Sequence, residues 1–154
     1  KRQAQCHKTM SFDFSVAYFT DGFDQSNVVQ LAKQAVTPIE VYQYAEFLNS
    51  RLIFTLGDVE KTLPENFSLF EIEGNLTLSV LKKAEDRPGY ILRLYNGLLK
   101  ENGRAKITFN HAIKAAEKVD LKEETKEPLS IINDTIELEN IGHAKFVTLY
   151  VEQI

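Results

Sequence analysis

The chain has 154 residues but no tryptophan, one cysteine (Cys6) and one methionine (Met10). A lone cysteine excludes an internal disulfide, and with it the stapled scaffolds of small secreted domains; it suits a reducing, cytoplasmic setting. The missing tryptophan weakens any case for an independent sugar-stacking platform. With only one cysteine, the chain also lacks the buried tryptophan and cysteine pair usual in an immunoglobulin-type adhesion sandwich. No run approaches the ~18 apolar residues of a membrane span, and no charged-then-apolar leader is recognisable. A net charge of −4 argues against a nucleic-acid partner. There is neither a glycine-rich phosphate loop nor a nucleophile elbow. Three Asn-x-Ser/Thr triplets, at Asn66, Asn75 and Asn133, are read as coincidental without a leader.

What is present is ordinary globular material, 44% hydrophobic and 26% charged, of a length that suits one domain. Period-two alternation dominates. Phe12, Phe14, Val16 and Tyr18 would share one face of a strand, with Ser11, Asp13 and Ser15 on the other. From Asp24 the period changes, and Val28, Leu31, Ala32, Ala35 and Val36 fall at helical spacing. The expectation is one helix over 24–36, with Asp24 or Ser26 accepting its first amide hydrogens and Pro38 ending it. Extended chain is expected over 39–47 and 52–54, and a loop over 63–66. Alternation resumes over 70–73 and again from Leu76 to Val80. Strands over 90–95 and 105–109 flank a connection that ends in Asn102-Gly103, a short-range turn signal. Further strands are expected over 132–138 and 146–151, and a solvated edge or loop over 117–127. Many short strands with few helices predict a mainly β chain, an antiparallel β-sandwich with one short helix.

Several of these segments carry a resemblance. The run Leu81-Lys82-Lys83-Ala84-Glu85-Asp86, followed by Tyr90-Ile91-Leu92-Arg93-Leu94-Tyr95-Asn96, resembles the C-terminal β-domain of glycoside hydrolase family 38, the α-mannosidases. Val119-Asp120-Leu121-Lys122-Glu123-Glu124 is similar to the family's D-L-x-E segment, and residues 146–151 to its closing I-x-T-L-x-L strand. Phe12 to Tyr18 resembles the aromatic strand by which the family enters this region. The resemblance implies that residues 1–154 are a single C-terminal β-sandwich domain, a fragment of a larger α-mannosidase. Lys1 as first residue, with Met10 the sole methionine, fits a piece cut from a longer chain. The implied parent hydrolyses α-mannosides with retention of configuration and carries a zinc ion held by histidines and aspartates in an N-terminal catalytic domain. That domain would be the fragment's partner, and a mannose-containing substrate the parent's ligand; no membrane partner is expected.

The chemistry required by such an enzyme is not visible here. Retaining glycosidases place two carboxyl groups ~5–5.5 Å apart. Glu71 with Glu73, and Glu137 with Glu139, sit at i and i+2 and read as wet acidic stripes on strands; Glu123 with Glu124 is only another abundance of acid. His7, His111 and His143 each lack a second ligand at short spacing, and Cys6 lacks a base on its own strand face. No catalytic residue, metal ligand or cofactor is therefore expected in this fragment. The candidate interface or sugar-contact residues are Arg93, Tyr90 and Tyr95. Arg93 leaves the face opposite to Leu92 and Leu94. It is read either as a structural arginine, paired with a carboxylate such as Asp120 or snorkelling over the sheet, or as a guanidinium fork at an interface. Tyr90, Tyr95, Tyr42 and Tyr44 either pack or stack on a sugar ring. Lys82, Lys83, Arg87, Arg93, Lys100, Arg104 and Lys106 outnumber their local acids, which fits a solvated face or a surface that docks on an acidic neighbour. The leading expectation is an architectural, non-catalytic domain. The alternatives are an independent carbohydrate-binding module and an adhesion sandwich.

Overall fold

The computed structural model describes residues 9–37, 39–41 and 64–153. Its body is two antiparallel sheets packed face to face. Eight strands build them: β1 (Phe70–Gly74), β2 (Thr77–Lys83), β3 (Tyr90–Tyr95), β4 (Gly103–Phe109), β5 (Ile113–Val119), β6 (Thr125–Pro128), β7 (Thr135–Ile141) and β8 (Phe146–Gln153). One sheet has the order β1-β4-β7 and the other β2-β3-β8-β5-β6. Alternation sorts their side chains. Leu92 and Leu94 of β3, with Val147, Leu149 and Val151 of β8, face Ala105, Ile107 and Phe109 of β4 and Ile136 and Leu138 of β7 in one continuous core. The fold expected from the sequence is the fold observed, with a single short α-helix among the described residues, α1 (Val28–Val36).

Several local expectations need correction. Residues 12–18 form no strand: the segment has no ladder partner among the described residues, and Phe14, Val16 and Tyr18 are 88%, 91% and 90% exposed. A period-two pattern specifies a face, but a strand also needs an edge to pair with. The helix begins later than expected. Residues Phe23–Gln25 form a 3-10 turn, and Asn27 at φ 49 precedes α1 without a side-chain cap. Asp24 is engaged elsewhere, since its carboxylate accepts the backbone N–H of Leu99 (2.7 Å) and of Lys100 (3.0 Å). Those two amides hold it below the ordinary aspartate range, Leu99 foremost. Ser26 turns backward, its hydroxyl donating to the carbonyls of Asp21 and Gly22.

The β3–β4 connection is not a hairpin. β3 pairs with β2 and β8, while β4 pairs with β1 and β7 in the other sheet. Gly103 opens β4 where a Cβ would collide with Leu76 Cδ2, so its glycine serves a close approach of side chains. The expected strand over 132–138 starts late. Asn133 and Asp134 both have positive φ in a tight turn, and Ile132 makes only an isolated bridge to Thr135. The solvated edge expected over 117–127 holds for β6, which is exposed along its length, but β5 lies inside the sheet between β8 and β6. The expectations for 42–54 and for Cys6, His7, Tyr42 and Tyr44 fall outside the described residues.

Candidate interface on the outer sheet face

The outer face of the five-stranded sheet carries the residues of interest. Cross-strand register sets Ile91 beside Tyr150, Arg93 beside Thr148 and Tyr95 beside Phe146. Arg93 does leave the face opposite to Leu92 and Leu94, as strand alternation requires. Its Nε donates to Thr148 Oγ1 at 3.1 Å, and it forms no salt bridge among the described residues. The expected Asp120 partner is occupied otherwise: its carboxylate lies 2.9 Å from Lys126 Nζ and accepts the amides of Lys122 and Glu124. Lys126 foremost, then those amides, holds Asp120 below the ordinary carboxylate range.

Tyr90 and Tyr95 do not converge. Five positions apart on one strand, they occupy opposite faces, Tyr90 beside Val151 and Tyr95 beside Phe146. The rings of Tyr95 and Phe146 are 4.7 Å apart. They line an apolar groove of about 380 Å³ whose far wall is Val29, Ala32 and Val36 of α1. Lys33, Thr77 and Ser79 are its polar lining, and Arg93 stands two residues from Tyr95 on the same face of β3.

The arginine that organises the outer face is Arg87, which sequence reasoning counted only among the basic residues. The turn after β2 folds back over the sheet, closed by the Ala84 amide donating to the Gly89 carbonyl at 3.0 Å. It seals a small second core of Ile91, Val119 and Tyr150. The Arg87 guanidinium lies 3.4 Å from the Tyr150 ring centroid, and its Nη1 donates to Glu117 Oε2 at 2.9 Å. The Thr125 hydroxyl donates to the same Glu117 oxygen at 2.6 Å. Thr125 foremost, with Arg87, lowers the Glu117 pKa against a burial that would raise it. Lys82 Nζ sits 2.7 Å from Glu123 Oε1 and 2.6 Å from Glu85 Oε1. Lys82, and then the Glu85 amide, lower the Glu123 pKa. Burial raises the Tyr150 phenol, whose hydroxyl donates to the Pro88 carbonyl. Three of the basic residues thus find acids: Lys82, Arg87, and Lys106 at 3.8 Å from Glu73. Two of those acids, Glu117 and Glu123, come from β5 and the loop after it, which are distant in sequence. The one local hint was that Arg87 precedes Pro88-Gly89 in a turn, which brings its side chain back over a strand.

Replacing Arg87 by methionine, which keeps much of the stem, should destabilise the chain by about 1–3 kcal/mol through loss of the cation–π contact and a half-buried charge pair. Arg93→Met, losing one hydrogen bond, should cost at most about 1 kcal/mol. Urea unfolding of both variants checks the order. The sign of the pH dependence follows from Glu117. Its folded pKa is depressed, so its pairing stabilises in full above the ordinary glutamate value of about 4.3 and is lost as pH falls through the lower folded value. The gap between wild type and Arg87→Met should therefore narrow on acidification and be widest at neutral pH.

The remaining candidates are dispersed. Glu71, Glu73, Glu137 and Glu139 are exposed, and so are His111 and His143. The His111 ring lies 5.7 Å from that of Phe67. Among the described residues, no three histidine, cysteine, aspartate or glutamate side chains are grouped so as to hold a metal ion. A zinc site of the kind the resemblance implies for the parent does not fit these residues.

No curated protein and no solved structure gives a significant match to the chain. A family model does match, that of the Glycosyl hydrolases family 38 C-terminal beta sandwich domain, over residues 75–148. The match begins just before β2 and ends on Thr148, so it spans the folded-back turn, Arg87, Arg93 and the crossover between sheets. Over residues 75–148 the sandwich described above is thus similar to the glycoside hydrolase family 38 C-terminal beta sandwich domain.

Proposed function

We propose that this chain is a non-catalytic C-terminal part of an α-mannosidase of family 38, and that its sandwich supports the catalytic region of that enzyme. The family match over residues 75–148 carries the reading. Two further observations support it. The candidate sugar-contact tyrosines lie on opposite faces of β3, a poor arrangement for one stacking platform. An apolar groove between α1 and the Tyr95–Phe146 pair, with Arg93 adjacent, is suited to receive a neighbouring domain. The substrate of the whole enzyme is an α-mannoside, its zinc and carboxylates belong to the preceding catalytic domain, and the single cysteine supports a cytoplasmic setting.

Deleting residues 75–153 from the longer polypeptide tests the supporting role. The expected outcome is a loss of soluble, active enzyme, with kcat/KM for an aryl α-mannoside reduced by at least about 100-fold, because misplacing groups far from the chemistry is already that costly. A deletion variant that stays soluble with full activity would refute it.

A further inference from the structure

We infer that the crossover loop over residues 97–101 is an oxyanion seat, filled here by the chain's own Asp24, and that a carboxylate or phosphate group from solution competes for it and so releases α1 from the sandwich. Both oxygens of Asp24 are engaged by successive backbone amides. Leu99 donates to Oδ1 at 2.7 Å and Lys100 to Oδ2 at 3.0 Å. Consecutive amides that converge in this way form a nest, an anion-binding concavity. This is not a carboxylate capping its own turn. Asp120 shows that local form, accepting the amides of Lys122 and Glu124 two and four residues on. Asp24 reaches amides 75 and 76 residues away, and so stands where a ligand would.

The seat is built without Asp24. The buried Asn96 holds the loop from its inner side, its Oδ1 accepting the Leu98 amide at 3.0 Å and its Nδ2 donating to the Glu101 carbonyl at 3.0 Å. With the loop pinned on both sides of them, the Leu99 and Lys100 amides point outward whichever anion they meet. Such preorganisation lowers the cost of binding. The field at the seat is positive. The Leu99 amide foremost, with the neighbouring amides and the Lys100 charge, holds Asp24 below the ordinary aspartate range against a burial that would raise it. A hollow of about 260 Å³ opens beside the carboxylate, between residues 22–25 and 99–101, which leaves room for a larger anion.

Loss of Asp24 from the seat reaches α1. The helix has nine residues, no side-chain N-cap and no buried residue, and a helix that short is marginal in water without tertiary support. Among the described residues, the side-chain hydrogen bonds that tie residues 21–37 to the sandwich are the two to Asp24 and one from Gln25 Nε2 to Glu101 Oε1 at 3.1 Å. All three end on the same loop. The Val29 side chain also stands against that loop, where a Cβ on Gly97 would collide with it. The helix is therefore held at its start, and the seat is what holds it. Because Asp24 and an external anion exclude one another, the coupling is reciprocal: an anion in the seat loosens α1, and whatever secures α1 opposes the anion.

Titration of the 154-residue chain with sodium acetate and with inorganic phosphate tests this, against sodium chloride at equal ionic strength, read from the amide resonances of Leu99 and Lys100. In Asp24→Ala those resonances should shift saturably with acetate or phosphate and not with chloride, and the anion with the lower midpoint identifies the group that the seat prefers. In the wild type the midpoint should be at least about 10-fold higher, since a tethered competitor acts at millimolar effective concentration. Over the same wild-type titration the Cα shifts of residues 28–36 should move towards coil values while the β3 and β8 amides stay in place. Asp24→Asn keeps the shape without the charge, and its midpoint should also fall below that of the wild type, which guards against an alanine variant that misfolds locally. No saturable shift in either variant would overturn the inference, and so would one midpoint shared by the wild type and both variants. Shifts at Leu99 and Lys100 in the wild type that leave α1 unchanged would overturn it as well.

Discussion

Asn96→Leu should destabilise the chain by about 3–5 kcal/mol, because three backbone groups at the crossover between the sheets would lose their partner at roughly 1–3 kcal/mol each, offset by the gain from an apolar side chain. Asn96 is fully buried at the end of β3. Its Nδ2 donates to the carbonyls of Glu101 (3.0 Å) and Ile141 (2.7 Å), and its Oδ1 accepts the Leu98 amide at 3.0 Å. One amide group thus satisfies the turn that carries the chain out of the five-stranded sheet and ties that turn to the end of β7 in the other. Leucine has nearly the same shape and none of the hydrogen bonds. Aspartate should do worse still, since a carboxylate cannot donate to two carbonyls and would be buried charged. Urea unfolding should show a lower midpoint at unchanged slope. A loss under about 1 kcal/mol for Asn96→Leu would mean that water replaces the amide, and that the site is less closed than the structure has it.

Gly89→Ala is the second large effect expected, about 2–4 kcal/mol from the sum of backbone strain and overpacking. Gly89 has φ +125, a region that L side chains rarely adopt, and a Cβ there would stand 2.6 Å from the Val151 carbonyl oxygen and 2.8 Å from Cε2 of Tyr150. Backbone of the central strand cannot yield without disturbing its ladder, so the turn over residues 84–89 has to lift. Because Tyr150 lies under Arg87, the change should also alter tyrosine emission, which no tryptophan masks in this chain. Gly142→Ala is the control. Its Cβ would meet only Lys145 Cγ, at 3.5 Å, and the substitution should be close to neutral.

The sequence was legible where one strand's own alternation decides the outcome. In β4 every second residue is buried as expected, and in β3 and β8 the alternate positions Leu92, Leu94, Val147, Leu149 and Val151 face the core, while Ile91 and Tyr150 are buried on the other face. It was not legible where the deciding partner is remote. Phe12 to Tyr18 alternates as well as any strand, yet no edge among the described residues receives it. β5 reads Ile-Lys-Ala-Ala-Glu-Lys-Val, and its register with β8 shifts between Ile113 and Ala115, so its buried residues Ile113, Ala116 and Val119 fall three apart and hide the period. The choice between Arg87 and Arg93 shows the same limit. Both are arginines in or beside an apolar run. Only the pairing of β5 with β8 brings Glu117 beside Tyr150, and so gives Arg87 its partners. Asp120, the partner expected for Arg93, follows a strand that sets Val119 rather than itself opposite Thr148, and it closes its own turn with Lys126.

The most direct measurement is the turnover of an aryl α-mannoside by the purified 154-residue chain, with and without added zinc and with a chelator as control. The expected result is no hydrolysis above the uncatalysed background under any of these conditions, because no zinc-ligand group was found among the described residues. Hydrolysis that scales with the amount of chain and is abolished by the chelator would contradict the account, and would place a catalytic centre in this polypeptide.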